Sequence, residues 1–308
     1  MNGVPEVSVV MSVYNGAEHL AETLDSVLNQ QGCAFEFIVI DDGSTDASAQ
    51  MLDDYAARDP RLRVMHQQNT GLTRALIRGC DMAKAEFIAR QDAGDISLPG
   101  RLAAQVACIR AQAQAVMVAC AVRFVGPGQE PLHCVICSTE DLEMGLRQND
   151  LNSLRGPPHH GATLFRKDAY VRAGGYRTQF SVAQDLDLWL RLAECGRCLG
   201  IPQVLYRASL AATSISNRRR HEQFSMAELA LASRRLRMQG KSDESLLAQS
   251  TFAPTAMAAV GSGERARFHY FIACCLRRDD PAAARKYYRR ALRENPLHLR
   301  ALLHWVLG

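Results

Sequence analysis

Two acidic clusters are the residues of this 308-residue chain that are best suited to chemistry. They are Asp41-Asp42-Gly43-Ser44-Thr45-Asp46 and, about fifty residues on, Asp92-Ala93-Gly94-Asp95. Each follows a short apolar run that is typical of a buried strand. Carboxylates brought together repel one another, and a divalent cation or hydrogen-bond donors relieve that repulsion. The clusters therefore predict a site for a cation or another polar ligand.

The elements that position the first cluster form a βαβ start. Residues 7–13 are predicted to be a strand, residues 17–30 a helix with an apolar face, and residues 35–40 a central strand. Ligands of open α/β sheets bind at the carboxyl ends of the strands, so Asp41, Asp42 and Asp46 are expected to line a crevice. One ligand that fits is a sugar-nucleotide diphosphate carrying Mg²⁺ or Mn²⁺, because such hard cations take oxygen ligands and bridge phosphates.

The first cluster also has a purely structural interpretation. Ser44 or Asp46 would then be the N-cap of a helix over residues 47–57. The motif alone does not decide between a ligand site and a capped turn.

Five ordered blocks together carry a family resemblance. The blocks are VSVVMSVYNG, DDGSTD, Asn69-x-Gly71-Leu72 with Ala75-Leu76 and Gly79, FIARQDAGDISLPGRL, and residues 184–192, QDLDLWLRL. With these blocks the chain resembles the inverting family 2 glycosyltransferases of the GT-A fold.

The resemblance implies a fold and a division of the chain. The fold is α/β of the GT-A type, a Rossmann-like mixed central sheet flanked by helices, with an all-α C-terminal extension. We expect a catalytic domain over 1–216, with a nucleotide-sugar half at 1–105 and an acceptor half at 106–216, followed by a helical region at 217–308.

The resemblance also implies donor-binding roles in the first half. Tyr14 and the neighbouring backbone, with the two aspartates of the first cluster, would line the base and ribose. The segment from Asn69 to Gly79 would close over the base or the phosphates. Arg74 is the candidate phosphate ligand, because guanidinium binds such oxygens bidentately; a solvated helix face is the alternative. The donor-side set is Tyr14, Asn15, Asp41, Asp42, Asn69, Arg74 and Asp92.

Asp92 and Asp95 would hold Mg²⁺ or Mn²⁺, but this chain departs from the family pattern twice. Gly94 stands where the family usually has an acid, which removes an oxygen ligand. Ser209 stands where a histidine commonly follows the Tyr-Arg pair, here Tyr206-Arg207. Both departures remove a potential ligand from the expected cation site.

Asp185 is the candidate general base. It lies at the start of a predicted helix over 187–194, where free amides and the helix dipole would keep it ionised. In the family interpretation it takes the proton of the acceptor hydroxyl, whose oxygen attacks the anomeric carbon and inverts it. Gln184 precedes it where the family usually has Glu. The alternative is that Asp185 is a plain N-cap.

The acceptor side is assigned to four residues: His159, His160, Gln184 and Trp189. The histidines would bind acceptor hydroxyls, or His160 would approach the diphosphate. Trp189 could stack under a sugar ring, although a Trp spaced with Leu186 and Leu190 is more often part of the core.

Composition is that of an ordinary globular protein, with 47% hydrophobic and 22% charged residues. The longest apolar stretch, 115–122, is too short to cross a bilayer, and no secretory signal is evident, so we expect a cytoplasmic enzyme.

The ten cysteines then serve as buried thiols. Cys134-x-x-Cys137 and Cys195-x-x-Cys198 have zinc-ligand spacing, but the two halves are too far apart for a usual zinc site.

Basic residues concentrate at the carboxyl end. Residues 1–216 hold 19 Lys and Arg against 24 Asp and Glu, whereas residues 217–308 hold 17 against 8. The tail predicts helices over 221–238, 243–250, 264–276, 281–293 and 297–306, including one tetratricopeptide-like hairpin. It could attract the anionic inner face of a membrane, where a lipid-linked acceptor would lie; a solvated surface is the alternative. Nucleic acid is not expected, because no known binding module is present.

Three functions remain open. The first is an inverting glycosyltransferase that moves a sugar from a nucleotide-diphosphate sugar to a glycan or lipid-linked acceptor, in polysaccharide or glycoconjugate synthesis. The second is a catalytically impaired nucleotide-sugar-binding protein, which Gly94 and Gln184 keep open. The third is a nucleotidyltransferase, for which the first strand lacks a Gly- and Lys-rich phosphate loop. Asp185 favours the first.

Overall fold

A computed structural model describes residues 4–212, 220–249 and 260–307. Within these ranges the chain divides into two compact units. The first comprises residues 4–122, 135–208 and 221–249, and the second comprises residues 123–134, 209–212 and 260–307. Each unit is described separately below.

Nine strands of the described residues form one mixed sheet in the order β3-β2-β1-β4-β8-β6-β9-β5, with β7 beside β6. The strands are β1 Val7–Val13, β2 Phe35–Asp41, β3 Leu62–His66, β4 Phe87–Arg90, β5 Ile96–Ser97, β6 Ala115–Val125, β7 Pro131–Val135, β8 Thr163–Arg166 and β9 Arg197–Ser209. The prediction of a mixed sheet is confirmed.

The amino-terminal half of the sheet is parallel. β1 pairs with β2 and with β4, and β2 pairs with β3, all in parallel. β2 is buried along its whole length, as its apolar β-branched sequence predicts. Because the strands run the same way, the residues after β1, β2 and β4 meet at one edge of the sheet. That edge carries both acidic clusters.

The other half of the sheet is antiparallel. β8 pairs antiparallel with both β4 and β6, and β5 pairs antiparallel with β9. The short pairing of β5 with β9 sets Ser97 opposite Tyr206. This brings the loop after the second acidic cluster next to the Tyr-Arg pair.

Seven helices of the first 212 residues connect these strands. They are α1 Ala17–Leu28, α2 Ser48–Ala56, α3 Leu72–Asp81, α4 Arg101–Arg110, α5 Thr139–Leu146, α6 Lys167–Arg172 and α7 Gln184–Cys195, with a 3₁₀ turn at His160–Ala162. The helices predicted over 17–30 and 47–57 are found with ends within two residues. α7 begins three residues earlier than predicted, so Asp185 lies inside its first turn.

The carboxyl-terminal helices are α8 Arg220–Met238, α9 Glu244–Gln249, α10 Ser262–Leu276, α11 Pro281–Glu294 and α12 Leu299–Leu307. α8 and α9 belong almost entirely to the first unit, whereas the sequence-based division placed all of 217–308 apart. Contacts within the first unit explain this: Arg234 donates to the carbonyl oxygens of Leu146 and Gln148, and Arg177 bonds Asp243 at 2.8 Å.

The second unit has its own core. Buried side chains of α10, α11 and α12 include Ile272, Ala273, Tyr287, Ala291 and Ala301. Asp280 caps α11 by accepting the Ala283 amide at 2.9 Å, and Pro281 occupies its first position.

Candidate active site

The first acidic cluster is bonded by its own chain. Asp41 is only 3% exposed, and its carboxylate accepts the Ser44 amide at 3.0 Å and lies 2.8 Å from Nδ1 of His66. Burial alone would raise the pKa of Asp41, but the bonds from Ser44 and His66 outweigh it and lower that pKa. Asp41 is therefore held as an ion inside the protein.

Asp42 organises the loop after β3. It is 2% exposed, and Oδ1 accepts the Gln67 side-chain amide at 2.7 Å and the Thr70 backbone amide at 2.9 Å. Its Oδ2 accepts the Gly71 amide at 2.9 Å. These bonds tie the segment that carries Asn69 to the end of β2.

Asn15 links the first loop to the acidic turn. Its Oδ1 accepts the amides of Thr45 at 2.7 Å and Asp46 at 3.3 Å. Asp46 in turn accepts the amides of Ala17 and Ser48, so it stabilises the start of α2 as the capped-turn interpretation expects. The formal N-cap of α2 is Ala47.

Besides Asn15, three of the expected donor-binding side chains are exposed at this edge. Tyr14 is 50% exposed at the end of β1, and Asn69 and Arg74 are exposed in the β3–α3 loop and at the start of α3. They are free to meet a ligand, whereas the buried carboxylates Asp41 and Asp42 build the loops that carry them.

Asp92, in the second cluster, is fixed by a buried arginine. Arg90 is fully buried at the end of β4; its Nη2 donates to Asp92 Oδ1 at 2.8 Å, and its Nη1 donates to the Val10 carbonyl oxygen. Burial raises the pKa of Asp92, but the charge of Arg90 lowers it below its usual value.

Asp95 and His159 complete the cluster. The Tyr206 hydroxyl donates to Asp95 Oδ2 at 3.0 Å and accepts the Asp92 amide at 3.2 Å. The His159 ring stacks on Tyr206 with centroids 5.5 Å apart. Its Nδ1 lies 3.8 Å from Asp92 Oδ2 and 3.6 Å from Asp95 Oδ2. One tyrosine therefore positions all three polar groups.

Asp92, Asp95 and His159 could hold a metal ion, because one ligand atom from each lies within 4.8 Å of the others. Both carboxylate contacts of Nδ1 are longer than hydrogen bonds. Nδ1 accepts the Gly161 amide at 3.2 Å, and a cation would replace that long bond. Two carboxylates suit Mn²⁺ or Mg²⁺, and the imidazole favours Mn²⁺ over the harder Mg²⁺. The donor set therefore fits the expected cation.

His159 was assigned to the acceptor side, and the structure places it with the two predicted metal ligands. It supplies a nitrogen ligand to a site where Gly94 replaces the usual acid and Ser209 replaces the usual histidine. Gly94 has a φ of +92°, and an added Cβ would meet nothing within 4 Å. The position has space for a side chain but a backbone that favours glycine.

Asp185 lies in the electrostatic range of this cluster. It is half-buried on the first turn of α7 and accepts the Leu186 amide at 2.9 Å. Burial, with a further contribution from the charge of Asp92, raises the pKa of Asp185. The Leu186 amide, at the helix start that was expected to favour the ionised form, lowers that pKa but does not offset burial and Asp92. A carboxyl with a raised pKa is a better proton acceptor once ionised.

The loop before Asp185 is anchored from a distant segment. Thr73 donates to the carbonyl oxygen of the buried Phe180 at 2.6 Å, which ties this loop to the start of α3. Ala183 adopts a left-handed conformation with a φ of 54° immediately before α7. The backbone therefore turns sharply where Asp185 is presented.

The other acceptor-side residues are buried. His160 Nε2 accepts from Arg90 at 3.3 Å and lies 2.6 Å from the Tyr176 hydroxyl. Burial and the charge of Arg90 lower the pKa of His160 to about 3, so the ring is neutral. Trp189 is 6% exposed and meets His160 edge-on at 6.1 Å, and Gln184 is buried as well. None of the three presents an open face, as direct sugar contacts would require.

Sequence reasoning missed Arg90 and Tyr206 as parts of the site. A charged residue at the end of an apolar strand, directly before an acidic loop, was the available signal for Arg90. Tyr206 was noted only as part of the Tyr-Arg pair that locates position 209. Beneath them Arg101 is fully buried, bonds Gln91 and Ser97, and lies 4.9 Å over the Tyr206 ring.

The ten cysteines are free thiols, including the two pairs with zinc-ligand spacing. Among the described residues, the helices are all too short or too polar to span a membrane.

Comparison with solved structures identifies the class of fold. A mannosyltransferase from Pyrobaculum calidifontis, PcManGT, solved with GDP-Man and Mn²⁺, matches with a TM-score of 0.58 and 19% identity over 98% of this chain and 79% of that chain. TarS 1-349 of S. aureus in complex with UDP-GlcNAc matches with a TM-score of 0.54 and 14% identity over 98% and 79%. The predicted GT-A fold is confirmed.

Sequence comparison identifies the family. The profile described as "Glycosyl transferase family 2" matches residues 8–172. EpsE of Bacillus subtilis (strain 168), named as a glycosyltransferase, is 32% identical over 67% of this chain and 74% of its own length. The amylovoran biosynthesis glycosyltransferase AmsE of Erwinia amylovora is 29% identical over 69% and 79%. The chain belongs to glycosyltransferase family 2.

Proposed function

We propose that this protein is an inverting glycosyltransferase that moves a sugar from a nucleotide-diphosphate sugar to a glycan or lipid-linked acceptor in polysaccharide or glycoconjugate synthesis. The observation that carries this proposal is the cluster of Asp92, Asp95 and His159, with Asp185 in electrostatic range of Asp92, in a chain of this family. The relatives include a protein named for amylovoran biosynthesis, which supports the polysaccharide context.

The donor would lie across the carboxyl ends of the parallel strands. Tyr14, Asn69 and Arg74 are exposed there and would contact the base and the phosphates. Asn15, Asp41 and Asp42 would act by holding the loops in place. Asp92 and Asp95, with His159, would hold Mg²⁺ or Mn²⁺ near the diphosphate. When bound, the cation supplies positive charge that stabilises the departing nucleoside diphosphate.

Asp185 would act as the general base. In its ionised form it takes the proton from the acceptor hydroxyl, while that oxygen bonds to the anomeric carbon. The bond from that carbon to the diphosphate oxygen breaks on the opposite face, and the electron pair leaves with the nucleoside diphosphate. The configuration therefore inverts through a transition state of oxocarbenium character.

The protein's working environment follows from the thiols and the basic tail. Ten free cysteines support a reducing cytoplasmic compartment. The excess of basic residues over 217–308 supports a partner with an anionic surface, the inner face of a membrane, where a lipid-linked acceptor would be found.

A second function is favoured by one observation. Gly94 lacks the acid that the family usually has, and a chain with a weakened cation site could bind a nucleotide sugar without transferring it. In that case the donor would bind and no nucleoside diphosphate would be released with any acceptor.

The test is a thermal-shift screen of the full chain against nucleotide sugars, with and without Mn²⁺. A donor that stabilises the protein in a Mn²⁺-dependent way would then be incubated with candidate acceptors, and nucleoside diphosphate release and product configuration would be measured. Transfer with inversion supports the proposal. Binding without release supports the second function, and a retained configuration overturns the inverting mechanism.

A further inference from the structure

Helix α12 in the second unit presents an apolar stripe to solvent. Its members are spaced as one face of a helix, i, i+3, i+4 and i+7, and remain largely exposed: Leu299 76%, Leu302 42%, Leu303 54% and Val306 65%. Such a stripe normally packs against another element. Here it faces away from the core of its own unit.

The opposite face of α12 is firmly held. Ala301 is fully buried in the core of the second unit, and Nδ1 of His304 lies 3.4 Å from the Tyr288 hydroxyl of α11. The helix is therefore fixed with its stripe outward, since the packed face already has its partner.

Basic residues lie beside the stripe. The Arg289 guanidinium lies 5.9 Å over the Trp305 ring, which joins the basic face of α11 to the edge of the stripe. Residues 260–308 hold ten Lys and Arg against four Asp and Glu, a net charge of +6. The exposed basic residues of the two helices are Arg285, Lys286, Arg289, Arg290, Arg293 and Arg300.

We propose that the stripe of α12, together with Trp305 and the exposed Leu297 just before the helix, docks on the surface of an anionic lipid bilayer. The leucines would enter the boundary between headgroups and acyl chains, and the arginines would meet the lipid phosphates. Nine residues at about 1.5 Å each are far too short to cross the bilayer, so the helix lies in the surface.

Charge favours a bilayer over a second copy of this chain. Two copies joined through this face would bring their arginines together, and like charges oppose association. An anionic bilayer supplies the complementary charge. This inference names the surface for the membrane partner included in the proposed function, and its test needs neither donor nor acceptor.

The test uses the two tryptophans of the chain as a built-in contrast. Trp189 is buried in the first unit, whereas Trp305 is 36% exposed beside the stripe. The full-length protein is mixed with phosphatidylcholine vesicles with and without phosphatidylglycerol. With phosphatidylglycerol, and only then, we expect the protein to co-sediment with vesicles in a salt-sensitive way. The Trp305 fluorescence should then shift to the blue and be quenched by brominated lipid. Absence of binding at low salt overturns the proposal.

Matched variants separate insertion from simple charge attraction. Leu302→Gln with Leu303→Gln should weaken vesicle binding about tenfold or more. Met144→Gln with Val171→Gln removes two exposed apolar side chains of the first unit and should leave binding unchanged. Arg293→Gln with Arg300→Gln should weaken binding and reduce its salt dependence. Equal binding by the leucine variant and the wild type overturns insertion.

Sedimentation of the lipid-free protein tests the competing occupant. A monomer at all concentrations supports the bilayer. A dimer that the leucine substitutions abolish assigns the stripe to a second copy and overturns the proposal. Donor binding, measured by thermal shift, reports on the proposed function separately, because the leucine and arginine variants lie in the second unit and Asp185 lies in the first.

Discussion

The two acidic clusters occupy equivalent places, each at the carboxyl end of a parallel strand, yet the protein uses them differently. Asp41 and Asp42 are buried and are hydrogen-bonded by neighbouring loops and by His66 of β3. Asp92 and Asp95 instead converge with His159 on one space, and Asp185 lies in electrostatic range of Asp92. Carboxylates at strand ends therefore either stabilise loops or converge on a space that fits a ligand.

The largest expected effect concerns Asp185. Asp185→Asn should lower kcat by about 10²–10⁴-fold, because the amide cannot accept the proton of the acceptor hydroxyl. Donor affinity and the free energy of unfolding should remain near the wild-type values, since burial and Asp92 already disfavour the charge of this carboxyl. The exposed Asp168→Asn is the matched control. An active Asp185→Asn enzyme would remove the base assignment.

The first cluster should respond in the opposite way. Asp42→Asn replaces one of two oxygens that accept amide hydrogen bonds with an NH₂ group, which leaves a buried amide donor without its acceptor. The free energy of unfolding of the first unit should fall by about 2 kcal/mol, measured by urea denaturation. If stability is unchanged and only donor binding is lost, Asp42 serves the ligand and the contrast between the clusters fails.

The pH dependence of the free energy of unfolding should report on the first cluster. Hydrogen bonds to Asp41 and Asp53 raise the pKa of His66, so its contribution to stability is fully present below its unfolded pKa and is lost as pH rises through the folded one. Urea denaturation across this range should show a wild-type advantage over His66→Gln that shrinks as pH rises. An advantage that grows with pH would contradict the ion pair.

Activity should have the opposite pH dependence. Asp185 works as a base only when ionised, so kcat/KM should fall as pH decreases through its pKa, which burial raises. The acid limb of the profile should therefore lie above the range of an ordinary aspartate. A profile that stays flat down to that range would argue against Asp185 as the titrating group.

Much of this fold could be predicted from local sequence. β1, β2 and α1 follow directly from apolar periodicity and turn residues, and the ordered blocks indicated the GT-A fold. Asp92 and Asp95 are three residues apart in one loop, so their proximity was predictable. The start of α7 was not, because the left-handed Ala183 and the anchored Phe180 depend on segments far away in the chain.

The details of the site depend on contacts between distant segments. His159 joins Asp92 and Asp95 across more than sixty residues, through Tyr206, and no local pattern encodes that meeting. The bonding of Asp41 depends on His66 of another strand. The raised pKa of Asp185 reflects burial and a neighbour that only the folded chain supplies.

We assign the cation site to Asp92, Asp95 and His159, and isothermal titration of Mn²⁺ into the full chain with a bound donor tests that assignment. The test variants are Asp95→Asn and His159→Phe, which keeps a ring stacked on Tyr206, and the control is the exposed Asp168→Asn. We expect Mn²⁺ affinity to fall about tenfold or more in the two test variants and to stay unchanged in the control. Mn²⁺ affinity that is unchanged in Asp95→Asn and His159→Phe would contradict the assignment.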